Sequence, residues 1–107
     1  MREKYLPYAL HHIDDEDIQQ VIKVLKSNWI IMGPKTKEFE ESVCEYVNCK
    51  YGVAVNSGTS ALDIAVASLG LSREEVITTP FTFASTSNAI LFNGLRPVFA
   101  DIKGDTY

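Results

Sequence analysis

"AVNSGTSALDIAV", residues 54–66, opens with the pattern of a strand and closes with that of a helix. The join is Asn56-Ser57-Gly58-Thr59, four small polar residues in a row. After it, Leu62, Ala65, Val66 and Leu69 recur at helical spacing, and Gly70 stands where a left-handed helix stop is expected. Ligands of open α/β sheets gather beyond the carboxyl ends of the strands, and this join lies at such an end. A helix beginning near Thr59 presents unpaired N–H groups and the positive end of its dipole. A phosphate there would meet the amides of Gly58, Thr59 and Ser60 and the Thr59 hydroxyl. The same residues also make a routine N-cap, so composition leaves both readings open.

Outward from the join, the pattern is one of helices alternating with strands. A helix is expected from about Asp15 to Lys26, with Ile18, Val21, Ile22 and Leu25 on one face and Asp14 or Asp15 as its cap. The connector "SNWIIMGPKT" ends in the turn signal Gly33-Pro34. Thr36 is then expected to cap a second helix with Phe39, Val43, Tyr46 and Val47 along one face and Glu38, Glu40, Glu41 and Glu45 on a solvated one. Short strands are expected at 51–55, at 75–79 and in "RPVFADI", with a helix before the last that stops at Gly94. Such alternation predicts βαβ units, an α/β layer with a mostly parallel sheet and helices over both faces.

The 107 residues allow one domain or a piece of one, expected to bury roughly 60–70% of the unfolded surface. An apolar content of 46% fits a globular chain, and a net charge of −4 gives no electrostatic case for nucleic acid. No apolar run approaches a membrane span and the amino terminus has no signal-peptide pattern, so the cytoplasm is the expected compartment. Cys44 and Cys49 lack further ligands nearby and read as free thiols rather than as a metal site or a disulfide. The adjacent His11 and His12 are expected to face solvent or, less simply, a cleft.

Two nucleotide motifs are absent. "GPKT" at 33–36 imitates the end of a Walker A loop, yet Pro34 splits the Gly–Lys pair and Asn28 stands where the first glycine belongs. Gly52 and Gly58 do not compose a dinucleotide fingerprint either. The second strand-to-helix join, "TTPFTFAST" at 78–86, places Phe81 and Phe83 beyond a strand end, where they either stack on a planar ligand or fill the core. No Ser-His-Asp or Cys-His set can be assembled from the rest.

Three stretches together resemble the start of the DegT/DnrJ/EryC1/StrS family of pyridoxal-phosphate-dependent sugar aminotransferases. They are "IDDEDIQQVIKVLKSNWIIMGPKTKEFE", "YGVAVNSGTSALDIAVASLGL" and "EVITTPFTFASTSNAILFNGLRPVFADI". The resemblance implies part of the large domain of a fold-type-I aminotransferase, residues 1–107 with no second domain, and a homodimer. It implies an amino group moved from an amino acid, with glutamate the expected donor, to a nucleotide-linked keto sugar for polysaccharide, glycan or antibiotic sugars. By the same resemblance Gly58, Thr59 and Ser60 hold the phosphate of pyridoxal 5'-phosphate, Phe83 stacks on its ring, and Trp29 and Gly33 border the substrate. No metal is implied.

Two departures stand out. "LGLSREEV" is one residue shorter than the family's glycine-rich turn, a surface change. More consequentially, no serine is followed four residues later by lysine, so the Schiff-base lysine and its motif are not in this sequence. Lys4, Lys23, Lys26, Lys35, Lys37, Lys50 and Lys103 match no family position. The expectation is an amino-terminal fragment, inactive alone and prone to self-association through unpaired edges. The alternatives are a non-catalytic regulatory or binding protein of the same lineage and an unrelated α/β phosphate-binding domain.

Overall fold

The computed structural model describes residues 5 and 7–106 and divides into two compact units, Met1–Ala54 and Val55–Tyr107. Lys4 lies outside the described residues.

The first unit carries helices α1 (Asp15–Leu25) and α2 (Pro34–Val47). Asp14 caps α1 with a full capping box: its Oδ1 accepts from the amides of Glu16 at 2.9 Å and Asp17 at 3.0 Å, while its own amide donates to Asp17 Oδ2. Three acidic residues in the first turn face the positive end of the dipole. Helix α2 starts three residues earlier than the sequence reading has it. Gly33 is its N-cap and Pro34 its first residue, whereas Thr36 lies inside the first turn and donates its amide to the Gly33 carbonyl. Proline's fixed φ and missing N–H suit a first helical position as well as a turn.

The second unit is a β1-α4-β2 crossover preceded by a helix. Helix α3 (Gly58–Ser68) ends at Leu69 with Gly70 left-handed at φ 63°. Strand β1 (Glu75–Thr78), helix α4 (Ser85–Phe92) and strand β2 (Arg96–Phe99) follow, with Gly94 left-handed at φ 72° between the last two. The strands run parallel, with Glu75 opposite Arg96 and Thr78 opposite Phe99, and an ion pair joins the first of these pairs. Helix α4 packs on both strands and on α3. Ala89, Ile90 and Leu95 are the buried apolar side chains among the described residues. Asn93 ties the two helices together by donating to Asp63 Oδ1 and the Ala89 carbonyl, each at 2.8 Å.

The expected strand at 51–55 is not formed. A strand needs a paired neighbour, and this segment has none among the described residues: its Ala54 amide donates instead to Glu40 Oε1 at 2.7 Å. Glu40 is correspondingly half-buried and not part of a solvated face, unlike Glu38 and Glu41, which pair with Lys35 and Lys37 at the surface. The apolar stripes of α1 and α2 remain open, with Val21, Leu25, Phe39 and Tyr46 all exposed.

With so few buried anchors, Ile90→Ala is expected to cost about 2–4 kcal/mol through the cavity it leaves. A urea titration followed by circular dichroism reads this as a lower midpoint; an unchanged midpoint would mean that α4 does not hold the second unit together.

Candidate functional site

The first turn of α3 decides what the join can bind. Ser57, its N-cap, accepts the Ser60 amide on Oγ at 3.1 Å, and the Ser57 carbonyl accepts the Ala61 amide. The Ser60 hydroxyl donates to Asn56 Oδ1 at 2.7 Å, which commits its only proton. The Ser57 hydroxyl, 3.0 Å from Ser60 Oγ, must therefore be the donor of that pair. A chain of hydroxyls thus runs Ser57 to Ser60 to Asn56, and the amides of Gly58 and Thr59 are left as the open donors of the turn.

A Cβ placed on Gly58 would meet nothing within 4 Å, so the space beside its Cα is clear. Two free amides, an adjacent threonine hydroxyl and the helix dipole form a donor set for an anion of phosphate size. The residues present fit the phosphate end of pyridoxal phosphate. Ser60 fits it less directly, since its amide and its hydroxyl proton are both engaged in the cap.

Phe83 stands between β1 and α4 and is 79% exposed, with Phe81 at 68%. Neither fills the core. The Phe83 carbonyl accepts the Thr86 amide at 3.0 Å, fixing the residue to the start of α4. Helix α4 leaves the carboxyl end of β1, and the short link 69–74 returns α3 to the amino end of that strand. By this topology the starts of both helices, with Thr59 and Phe83, lie toward the carboxyl edge of the sheet.

A separate groove of about 320 Å³ forms in the first unit between the end of α1 and the start of α2. Trp29 and Gly33 both line it, with Lys23, Lys35 and Thr36. The indole N–H donates to the Ile31 carbonyl at 2.8 Å, which orients the ring, and Ser27 Oγ accepts the Trp29 amide. Gly33 lies against this ring: a Cβ there would come within 3.1 Å of Trp29 Cδ1 and 3.2 Å of the Trp29 carbonyl. Lys23 and Lys35 carry no motif in sequence, so only the fold brings them to the groove that the indole lines, with the Lys35 ammonium paired to Glu38 at 2.7 Å. No cluster of three or more metal-ligating side chains occurs among the described residues, and no helix among them is long and apolar enough to cross a membrane.

The model of the DegT/DnrJ/EryC1/StrS aminotransferase family matches residues 11–107. The chain belongs to this family. It is 46% identical over 106 residues to the spore coat polysaccharide biosynthesis protein SpsC of Bacillus subtilis, covering 98% of this chain and 27% of SpsC. It is 45% identical over 100 residues to the UDP-4-amino-4,6-dideoxy-N-acetyl-beta-L-altrosamine transaminase of Campylobacter jejuni, covering 94% of this chain and 27% of that enzyme. Among solved structures, the PLP form of Spr1654 from Streptococcus pneumoniae superposes with a TM-score of 0.88 at 34% identity, over 94% of this chain and 26% of its own. The chain therefore spans about a quarter of the length of the relatives it matches, and its fold is part of the α/β fold of these aminotransferases.

Trp29 is the single tryptophan of the chain and reports on the groove directly. Gly33→Ala is expected to displace the indole and shift its fluorescence emission, whereas Gly58→Ala, with open space around it, leaves the emission unchanged. Equal spectra for Gly33→Ala and the parent chain would show that the ring is not held against Gly33.

Proposed function

We propose that this chain is an amino-terminal portion, residues 1–107, of the large domain of a pyridoxal-phosphate-dependent aminotransferase. The longer protein transfers an amino group from an amino acid, glutamate by our reading, to a nucleotide-linked keto sugar, and works as a homodimer in the cytoplasm. The observation that carries the reading is the first turn of α3, with its open amides at Gly58 and Thr59, in a chain 45% identical to a UDP-sugar transaminase.

Pyridoxal phosphate, when bound, supplies the electron sink for exchanging an amino group between an amino acid and a ketone. The residues of this chain hold and orient. The Gly58 and Thr59 amides and the Thr59 hydroxyl donate to phosphate oxygens, and Ser60 secures the turn through Ser57 and Asn56. Phe83 offers an aromatic face to the pyridine ring. In the groove, Trp29 gives a plane for a base, Gly33 keeps that plane in place, and Lys23 brings positive charge for a diphosphate, Lys35 being paired to Glu38. No residue here takes the part of the catalytic lysine, so the 107 residues alone do not turn over.

Gly58→Val separates binding from folding. Its side chain enters open space, so the circular dichroism spectrum is expected to stay as it is. Affinity for pyridoxal phosphate, read by equilibrium dialysis, is expected to fall at least about tenfold, some 1.4 kcal/mol, because a branched side chain crowds the turn where the phosphate would approach. Undiminished binding would remove α3 from the cofactor site. Borohydride treatment of the chain with the cofactor is expected to give no stoichiometric adduct at any one lysine; such an adduct would overturn the absence of the catalytic group. Glutamate-dependent amination of a nucleotide keto sugar by the full gene product tests the activity itself, and its failure with intact cofactor binding would favour a regulatory member of the lineage.

A further inference from the structure

We propose that Cys44 and Cys49 form an oxidative modification site: a dithiol held at the carboxyl end of α2 that a hydroperoxide converts to an internal disulfide. Five residues along an unbroken helix stand about 140° apart around its axis, so the spacing alone would point the two thiols away from each other. The end of α2 is not unbroken. Asn48 turns left-handed at φ 53°, its amide reaches back to the Glu45 carbonyl, and the Cys49 amide donates to the Cys44 carbonyl at 2.9 Å. These are the paired bonds of a Schellman motif, in which the residue after the left-handed one folds back on the residue five before it. Those two positions are the cysteines.

The turn brings the two residues together through the backbone bond from the Cys49 amide to the Cys44 carbonyl, and the Cys49 thiol donates to the Tyr51 carbonyl at 3.4 Å. On its other side Cys44 is roofed by Gly52, where a Cβ would come within 2.8 Å of its sulfur. Cys44 is half-buried and Cys49 exposed. The neighbouring Cys49 thiol, then burial, then the negative charge of Cys49, Glu40 and Glu41 push the Cys44 thiol above its ordinary range. Cys49 is therefore the thiol that meets the oxidant, and Cys44 the one that resolves it.

The chemistry balances with a hydroperoxide as the electron acceptor. The Cys49 sulfur takes one oxygen as the O–O bond breaks, giving a sulfenic acid and an alcohol, or water when hydrogen peroxide is used. The Cys44 sulfur then displaces that oxygen, forming the S–S bond while the thiol proton leaves with the oxygen as water. Two thiols are oxidised by two electrons and one peroxide bond is reduced. A thiol reductant reverses the closure by exchange.

The test treats the chain with hydrogen peroxide, blocks remaining thiols with an alkylating agent and measures intact mass and the peptide map. The expected product is monomeric, two hydrogens lighter, unalkylated at both cysteines, linked between 44 and 49, and restored by dithiothreitol. Closure is expected at least about tenfold faster in buffer than in urea, because the turn holds the sulfurs together. Asn48→Val, whose branched side chain resists the left-handed conformation, is expected to close at the slower urea rate, and Asn48→Gly at the parent rate. Cys44→Ser is expected to leave Cys49 as a sulfenic acid that a dimedone probe captures. Linkage between two chains, independent alkylation of both thiols after oxidation, or equal rates in buffer and urea would each overturn the proposal.

Discussion

A helix cannot satisfy its own leading amides, and the way α3 meets that constraint organises the second unit. Ser57 takes the Ser60 amide and the first carbonyl takes the Ala61 amide, so Gly58 and Thr59 carry the unpaired donors. Had the cap residue been apolar, the turn would lose about 1 kcal/mol and the open amides would lose their fixed direction. A side chain at 58 would occupy space that is open in this turn. The two unpaired donors follow from a complete cap. Asn93, fastened to Asp63, keeps the body of α3 against α4 and so keeps that turn aimed.

Local signals were legible where a single residue type has one physical use. Gly70 and Gly94 mark helix stops and both are left-handed, Asp14 marks a start and makes a capping box, and the alternation after Leu71 does give two parallel strands joined by α4. Legibility failed where the outcome depends on a partner. Residues 51–55 have the composition of a strand, yet a ladder needs a neighbour, and the Glu40 carboxylate claims the Ala54 amide instead. Gly33-Pro34 reads as a turn in the sequence but starts α2 in the structure, because proline serves both. The lysines of the groove and the backbone closure of Cys49 on Cys44 were out of reach, since neither follows from spacing without the turns that fold them together.

The apolar surface tells a consistent physical story. Ile77 on β1, Phe99 on β2 and most of the stripes of α1 and α2 stand open to solvent, while full burial among the described residues is confined to Ala89, Ile90 and Leu95. Sequences patterned for a layered sheet bury such residues only when the layers are present. The local geometry of each turn survives that exposure because caps, left-handed stops and side-chain hydrogen bonds are short-range.

Gly52 couples two positions that are eight residues apart. Any side chain there would press on the Cys44 sulfur and on the Glu40 carbonyl behind it. Positions 44 and 52 are therefore not free to drift separately: a lineage that abandons the glycine must first, or at once, give up bulk at 44. A small residue such as alanine at 44 removes the tighter of the two contacts and leaves the Glu40 carbonyl, 3.3 Å from a Cβ at 52, as the remaining limit on variation there.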